Sequence, residues 1–439
     1  MSAATDHAAE CTKLASELAA ARLMGARIGI KKPASNLFRR PNVVSKSRLD
    51  MRRLNRVLSV DRERLVANVE GATTYEDLVD ETLQYDLLPA VVPQLKTITA
   101  GGAVSGLGIE SSSFKFGLVH ETVEEMEVLL GDGRIVVCSR NNNSDLFFGF
   151  PNSYGTLGYI LRLAVRLIPA KRYVRVTHKP FRDPQHYFGE IGELCSRTTA
   201  DYLDGTIFDG HQMYITRGAL IDEAPGASDY SYMNIYYQSI QRKSKDWLTS
   251  KGYIWRWDTD WFWCSKHFGV QNPAIRLFAK WALHSRTYQR LRLLSHRLLP
   301  DSHSTESVIQ DVDIPIEHAP EFFRFLLSEI GILPVWVCPF RTFESTRRYV
   351  LSPLAPDKLY INFGFWDTLP TSRENGYFNR RVETKALELH GMKALYSSSY
   401  YDEATFWSIY DRERYRELRQ KYGAEGVFPD LYEKCVLRS

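Results

Sequence analysis

Apolar residues in the opening segment recur at helical spacing among Asp6, Glu10, Lys13 and Glu17, which predicts an amphipathic helix to about Leu23. A short strand at 26–30 and a basic loop, Lys31-Lys32-Pro33-Ala34-Ser35-Asn36, follow. From residue 57 to 169 the pattern is dense α/β. Two β-rich runs, 57–60 and 65–69, flank the charged turn Asp61-Arg62-Glu63-Arg64. Thr74 is placed to cap a helix whose first turn carries Glu76 and Asp77. Residues 123–130 and 135–138 read as a hairpin closed by Gly131-Asp132-Gly133. Residues 159–167 alternate apolar and polar as a half-buried strand that Pro169 ends.

Beyond Lys171 strand-like pieces (173–178, 232–237, 308–314, 335–337) alternate with helical ones such as 319–330, the texture of a second α+β unit. The last segment is helical and charged from Glu403 to Gly423. The chain therefore divides at 1–170, 171–384 and 385–439, with no internal repeat and no low-complexity linker.

Composition narrows the classes. A chain of 439 residues suggests two or three domains at about 150 residues each. With 44% hydrophobic and 25% charged residues it is an ordinary globular chain, which excludes disorder, a collagen-like repeat and a coiled coil. Lys plus Arg (56) barely exceeds Asp plus Glu (52), so the net charge of +4 gives no sign of a nucleic-acid partner. Cys11, Cys138, Cys195, Cys264, Cys338 and Cys435 show no C-x-x-C spacing. Neither a zinc site, nor any other metal, nor a disulfide framework is implied, and the thiols read as free in a reducing compartment. The N-terminus lacks the continuous apolar stretch of a signal peptide, and no run of about 18 uncharged apolar residues occurs. The expectation is a soluble, cytoplasmic protein.

The most informative stretch runs from Thr97 through Ala100-Gly101-Gly102-Ala103-Val104-Ser105-Gly106-Leu107-Gly108-Ile109-Glu110 to Ser111-Ser112-Ser113. Its four glycines allow close backbone approach, and its N–H and O–H groups suit a pyrophosphate or a polar ring edge. No Gly-Lys-Ser/Thr follows, so it is not a P-loop, and Gly106-Leu107-Gly108 lacks the third glycine of a G-x-G-x-x-G fingerprint. A tight turn between buried strands is the plain alternative. Further along, Asn143-Ser144-Asp145-Leu146-Phe147 precedes Gly155-Thr156-Leu157-Gly158-Tyr159-Ile160.

This order of motifs resembles the FAD-binding domain of the vanillyl-alcohol-oxidase (PCMH) type of flavoprotein, over residues 26 to 170. Residues 108–118 with Asn-Ser-Asp-Leu-Phe and Gly-Thr-Leu-Gly are similar to the Δ24-sterol reductases (seladin-type) and to bacterial methylene-fatty-acyl reductases. The likeness continues through Val308-Ile309-Gln310-Asp311-Val312, Pro334-Val335-Trp336, Phe406-Trp407 and Phe428-Pro429. It implies an α+β fold in which a two-subdomain PCMH-type FAD-binding domain is followed by an α+β substrate (cap) domain and a C-terminal segment returning to the flavin. It also implies an FAD-dependent reductase of an isolated carbon–carbon double bond in a lipid, with NADPH as electron donor. The substrate would be a methylene-branched fatty acyl chain or a sterol side chain, with a lipid-modifying methyltransferase in the same pathway. The eukaryotic sterol enzymes begin with a membrane-spanning segment, which this chain does not show.

By the same resemblance Lys31, Lys32, Ser35 and Asn36 occupy the first phosphate-cradling loop, and Ala100, Gly101 and Gly102 would present N–H groups to the pyrophosphate. Glu110, Ser112 and Ser113 fall beside the flavin edge, and Gly155, Thr156, Gly158 and Ile160 on the adenine side. The first loop offers no His or Cys to tether the cofactor, so the FAD is expected to be non-covalent. Lys393 would sit at the flavin's pyrimidine edge, or be an ordinary surface lysine. Protonation must accompany hydride addition to an unactivated alkene, and Glu110, Lys393 and Tyr396 with its neighbours Tyr400 and Tyr401 are the candidate acids. Two rivals stand beside this reading: an FAD-dependent oxidase or dehydrogenase of an alcohol or sugar, and a non-catalytic lipid-binding flavoprotein.

From Trp261 to Pro300 there is no Asp or Glu but seven Lys or Arg, and the run 253–263 that leads in holds four of the nine tryptophans. Basic residues among Leu, Phe and Trp suit a helix lying on an anionic bilayer, so 253–300 reads as a lipid entrance at the inner face of a membrane. A core helix pair with outward-reaching Arg and Lys stems fits the same pattern.

Overall fold

Antiparallel pairing builds two large sheets in the computed structural model, which describes residues 3–35, 37–39, 47–197, 199–288, 290–291, 305–344, 347–356 and 358–437. In the first sheet the strands run Val57–Asp61, Val66–Glu70, Tyr159–Pro169, Val123–Leu129, Ile135–Ser139, and Leu87–Pro89 pairs with the far end of Tyr159–Pro169. Thr74 caps the helix Tyr75–Thr82 by accepting from the Asp77 N–H, as its position predicts. The strand Tyr159–Pro169 is not half-buried. It is bonded along both edges and packed on both faces, so only Arg162, Arg166, Ile168 and Pro169 escape burial. An alternating pattern marks a one-sided strand only where one face meets water.

The second sheet has eight strands in the order Lys245–Thr249, Tyr173–Phe181, Gln212–Ile221, Tyr202–Asp209, Val335–Arg341, Leu359–Pro370, Thr305–Pro315, Met392–Lys393. The expected strand at 232–237 does not form. Residues Tyr236–Ile240 are a helical turn, and the sheet edge beside Tyr173–Phe181 is taken by Lys245–Thr249. The fold is α+β, as the texture predicted. No helix among the described residues is long and apolar enough to cross a membrane.

The first helix, Ala3–Leu23, buries Leu14, Leu18 and Ala21 against Ile28, Leu49, Tyr159, Leu161 and Phe428. It thereby backs the strand Ile28–Lys31, which pairs in parallel with Ser47–Asp50 and carries the chain into the basic loop. Its polar anchor is His7. The Nδ1 atom lies 2.9 Å from Glu70 Oε1, and Nε2 lies 3.4 Å from both Glu127 Oε1 and Cys11 Sγ. Glu70 is also bonded by Arg56, and Glu127 by Arg162. Cys11, Glu127 and Glu70 together raise the His7 pKa to about 11. A group whose pKa rises on folding stabilises most below its unfolded value, near 6.5, and that contribution fades as pH climbs toward the folded value. Replacing His7 by Gln should therefore cost about 1–3 kcal/mol at pH 6. In urea titrations the gap between wild type and variant should narrow steadily as the pH is raised to 10; a constant gap would show that His7 is not charged.

Candidate active site

Both sheets contribute to one cavity of about 810 Å³, within the size range of cofactor and substrate sites. Of the residues that the sequence singled out, Lys31, Lys32, Ser35, Gly101, Gly102, Gly155, Gly158, Ile160 and Tyr396 line it. Asn36 lies outside the described residues.

One region of the wall is cationic. Lys32, Arg39 and Lys434 converge there, and among the described residues no carboxylate pairs with any of them. Burial lowers the Lys32 pKa to about 8. Burial, with Arg39 and Lys32 nearby, lowers that of Lys434 to about 7. The Arg39 guanidinium donates through Nη1 to the Lys434 carbonyl and lies over the Tyr154 ring, while its buried Nε and Nη2 have no partner among the described residues. Buried donors without acceptors are costly unless a ligand supplies the acceptors. A pyrophosphate does so with charge of the right sign, so these residues fit FAD.

The glycine-rich segment differs from its expected form. Thr99 caps a short helix, Ala100–Ser105, by accepting from the Gly102 N–H. The Ala100 and Gly101 N–H groups donate to the carbonyls of Thr73 and Gly71. The three amides expected to face a pyrophosphate are thus engaged internally, and Ala100 does not reach the cavity. What this segment supplies is space. A Cβ on Gly102 would lie 2.7 Å from Thr99 Oγ1, so a side chain there would displace the Thr99 cap, while at 3.5 Å it would only touch Lys32 Nζ.

Other expected residues are elsewhere. Glu110 is buried outside the cavity wall, its Oε1 bonded by Arg256, which also bonds Asp204. It is a structural carboxylate. Ser112 donates to the Ala90 carbonyl and the Ser113 hydroxyl accepts from the Glu110 N–H, so both seal the turn. Thr156 donates to the Ser153 carbonyl and accepts from Tyr415. Lys393 pairs across from Val312, and strand alternation sends it to the face opposite Met392 and Ala394, which do line the cavity. Its Nζ bonds the Ser398 carbonyl (2.5 Å) and Ser399 Oγ (2.9 Å) and lies 3.5 Å from Glu383. It is neither on the surface nor at the cavity.

The second sheet supplies an aromatic and acidic wall that the motifs did not assign. Trp336, Trp366, Asp311 and Asp313 come from its strands, and Phe262 and Phe38, from outside the sheet, line the cavity beside them. Asp311 and Asp313 lie two apart on the strand Thr305–Pro315 and so share its cavity face. Burial raises each pKa to about 7; bonds from Tyr396 to Asp311 and from Asn362 to Asp313 oppose the rise, and Asp311 adds to it at Asp313. Tyr396 Oη donates to Asp311 Oδ2 at 2.7 Å and accepts from Trp366 Nε1 at 3.1 Å. Asp311 Oδ1 occupies the space left by Gly364, where a Cβ would come within 2.6 Å of it. The signal available in sequence was two carboxylates at i and i+2 inside the β run Val308-Ile309-Gln310-Asp311-Val312-Asp313-Ile314.

The lead-in to the acid-free stretch is core. Trp255, Trp257, Trp261 and Trp263 are buried, and so is Arg256. This part of the expected membrane face is ruled out, because the tryptophans pack on one another and on Trp366. Residues 292–300 lie outside the described set.

The cationic wall gives a test. Lys32→Ala and Lys434→Ala should each weaken FAD binding by about tenfold or more, read by quenching of flavin fluorescence. An anion favours the charged lysines, so wild-type affinity should fall as pH rises through 7 to 8, and in the double variant that slope should flatten.

Comparison with known proteins agrees with the cavity. The FAD binding domain family matches residues 8–139. The chain is 28% identical over 393 residues to a Delta(24)-sterol reductase from Homo sapiens, covering 86% of this chain and 75% of that one. The corresponding protein of Pisum sativum is 26% identical over 431 residues, 88% of this chain and 76% of the other. Cytokinin dehydrogenase 3 of Arabidopsis thaliana is 30% identical over 158 residues, 36% of this chain and 30% of its own. The chain thus carries a PCMH-type FAD binding domain, is similar to Delta(24)-sterol reductases over most of its length, and is an FAD-dependent oxidoreductase.

Proposed function

We propose that this protein reduces an isolated carbon–carbon double bond in a lipid, a methylene-branched fatty acyl chain or a sterol side chain, with NADPH as electron donor. On this reading residues 1–170 form the flavin-binding domain, 171–384 the cap and 385–439 the returning segment. A lipid-modifying methyltransferase would make the methylene substrate. The observation that carries the reading is the Asp311–Tyr396 pair in an aromatic wall.

Lys32, Arg39 and Lys434 would hold FAD, which when bound would supply the hydride. The chain must supply the proton, because an unactivated alkene offers no sink for the negative charge of hydride addition. Asp311 is suited to this. With a pKa near 7 it is half protonated at neutral pH, and Tyr396 occupies Oδ2, leaving Oδ1 to carry the proton. As the proton reaches the alkene, positive charge develops on the more substituted carbon. The faces of Trp366, Trp336 and Phe262 attract such a charge and keep water from it.

Reoxidation of the NADPH-reduced protein should be accelerated by a methylene-fatty-acyl phospholipid or a Δ24-sterol; if neither lipid does so, the reading fails. Turnover should decline as pH rises through about 7, since the acid form of Asp311 is required. Asp311→Asn should lower kcat/KM by about 10²–10⁴-fold and abolish that limb. Tyr396→Phe removes a bond that lowers the Asp311 pKa, so it should move the limb to higher pH.

A further inference from the structure

The helix Pro273–Phe278 is inverted relative to an ordinary surface helix. Its charged residue, Arg276, points inward, 1% exposed, with Nη1 and Nη2 bonded to the two oxygens of buried Asp260 at 2.6 and 2.9 Å. Its outward side chains are apolar. Ile275 and Leu277 are about half exposed, Phe278 is 80% exposed, and Trp281 just beyond it is 81% exposed. Phe268 and Leu291 extend the patch. Water-facing helices place these classes the other way round, and an apolar cluster of this kind on a soluble surface marks a site of contact.

The same segment of chain carries exposed cations. Lys280, Arg286 and Arg290 are exposed, and no carboxylate among the described residues pairs with them. The nearby acids are already committed: Asp258 and Asp260 are buried, and Asp367 binds Lys266 and His267. The surface therefore offers apolar side chains and positive charge together, the combination that suits an anionic lipid surface.

It is also continuous with the cavity. Phe268 packs on Tyr288 (centroids 5.7 Å apart), which lies parallel to Trp261 (5.8 Å). Trp261 stacks on Phe38 (5.7 Å), and Phe38 meets Trp366 (5.0 Å) in the cavity wall. An unbroken file of rings joins the exposed patch to the residues around Asp311.

From this inversion, charge and continuity we infer that the surface around Phe278, Lys280 and Trp281 docks the protein on an anionic phospholipid bilayer, from which the acyl or sterol chain passes along the ring file into the cavity. The passage rests on the lipid reading of the cavity; the docking does not. The FAD-loaded full-length protein should sediment with vesicles of phosphatidylcholine and phosphatidylglycerol much more than with phosphatidylcholine alone. Phe278→Ser with Trp281→Ser should weaken that binding at least tenfold, and Lys280→Glu with Arg286→Glu and Arg290→Glu about a hundredfold or more. Both variants should keep wild-type flavin content and melting temperature, because the altered side chains face solvent. They should lose turnover of vesicle lipid while retaining turnover of the same lipid in detergent micelles. Wild type that stays in the supernatant at low salt, variants that sediment like wild type, or a wild-type dimer in light scattering that Phe278→Ser with Trp281→Ser dissociates would overturn the docking surface. Vesicle binding without turnover of either lipid form would support docking and count against the lipid-reductase reading instead.

Discussion

The guanidinium of Arg256 holds two carboxylates that belong to different parts of the chain, Glu110 from the turn after the glycine-rich helix and Asp204 from the middle of the second sheet. Its Nη1 also donates to the Tyr253 carbonyl, and Trp336 Nε1 closes on Asp204 at 3.1 Å. All three charged groups are buried. Breaking such a cluster from one side leaves an uncompensated buried charge, at a cost of about 3–5 kcal/mol. The pairing is thus effectively obligatory, and with the Leu203-to-Ser111 backbone bond it fixes the two sheets against each other. The cavity between them, and every distance within it, depends on that registration.

Burial then acts with opposite results on the two walls. On the first it removes water from three cations to which no described residue gives a carboxylate, which lowers the lysine pKa values and leaves Arg39 donors without an acceptor among those residues. The wall is poised for a polyanion. On the second it removes water from two acids to which no described residue gives a cation, which raises Asp311 and Asp313 toward neutrality. The same desolvation penalty prepares one surface to bind phosphate and the other to hold a transferable proton.

Much of the secondary structure was legible in local pattern. The Thr74 cap, the Gly131–Gly133 hairpin and the first helix follow from short-range chemistry that the tertiary fold does not oppose. The strand expected at 232–237 was lost to a competitor for the same edge, which no local signal reports. The site was legible in part. Glycines and the basic loop mark themselves by composition. Glu110 and Lys393 were misplaced because a motif gives a residue's position in the chain, not the face on which its side chain emerges. Asp313, Arg39 and Lys434 carry no motif, and Asp311 lies in one that gives it no role, since each becomes chemical only through what surrounds it.

The tryptophan-rich stretch shows the same division. Sequence alone established that residues 261–300 hold no acid and many aromatic and basic residues, which left both a membrane face and a core helix pair open. Only the fold could separate the two, because solvent exposure is set by neighbours distant in sequence. It placed Trp255 to Trp263 inside, where Asp260 could claim Arg276, and so turned Ile275, Phe278 and Trp281 outward. The sequence determined which chemistry was present, a dinucleotide cradle and an apolar cap. The tertiary structure decided which charges are paired and which are left for a ligand, because pairing depends on distances between residues that the chain keeps far apart.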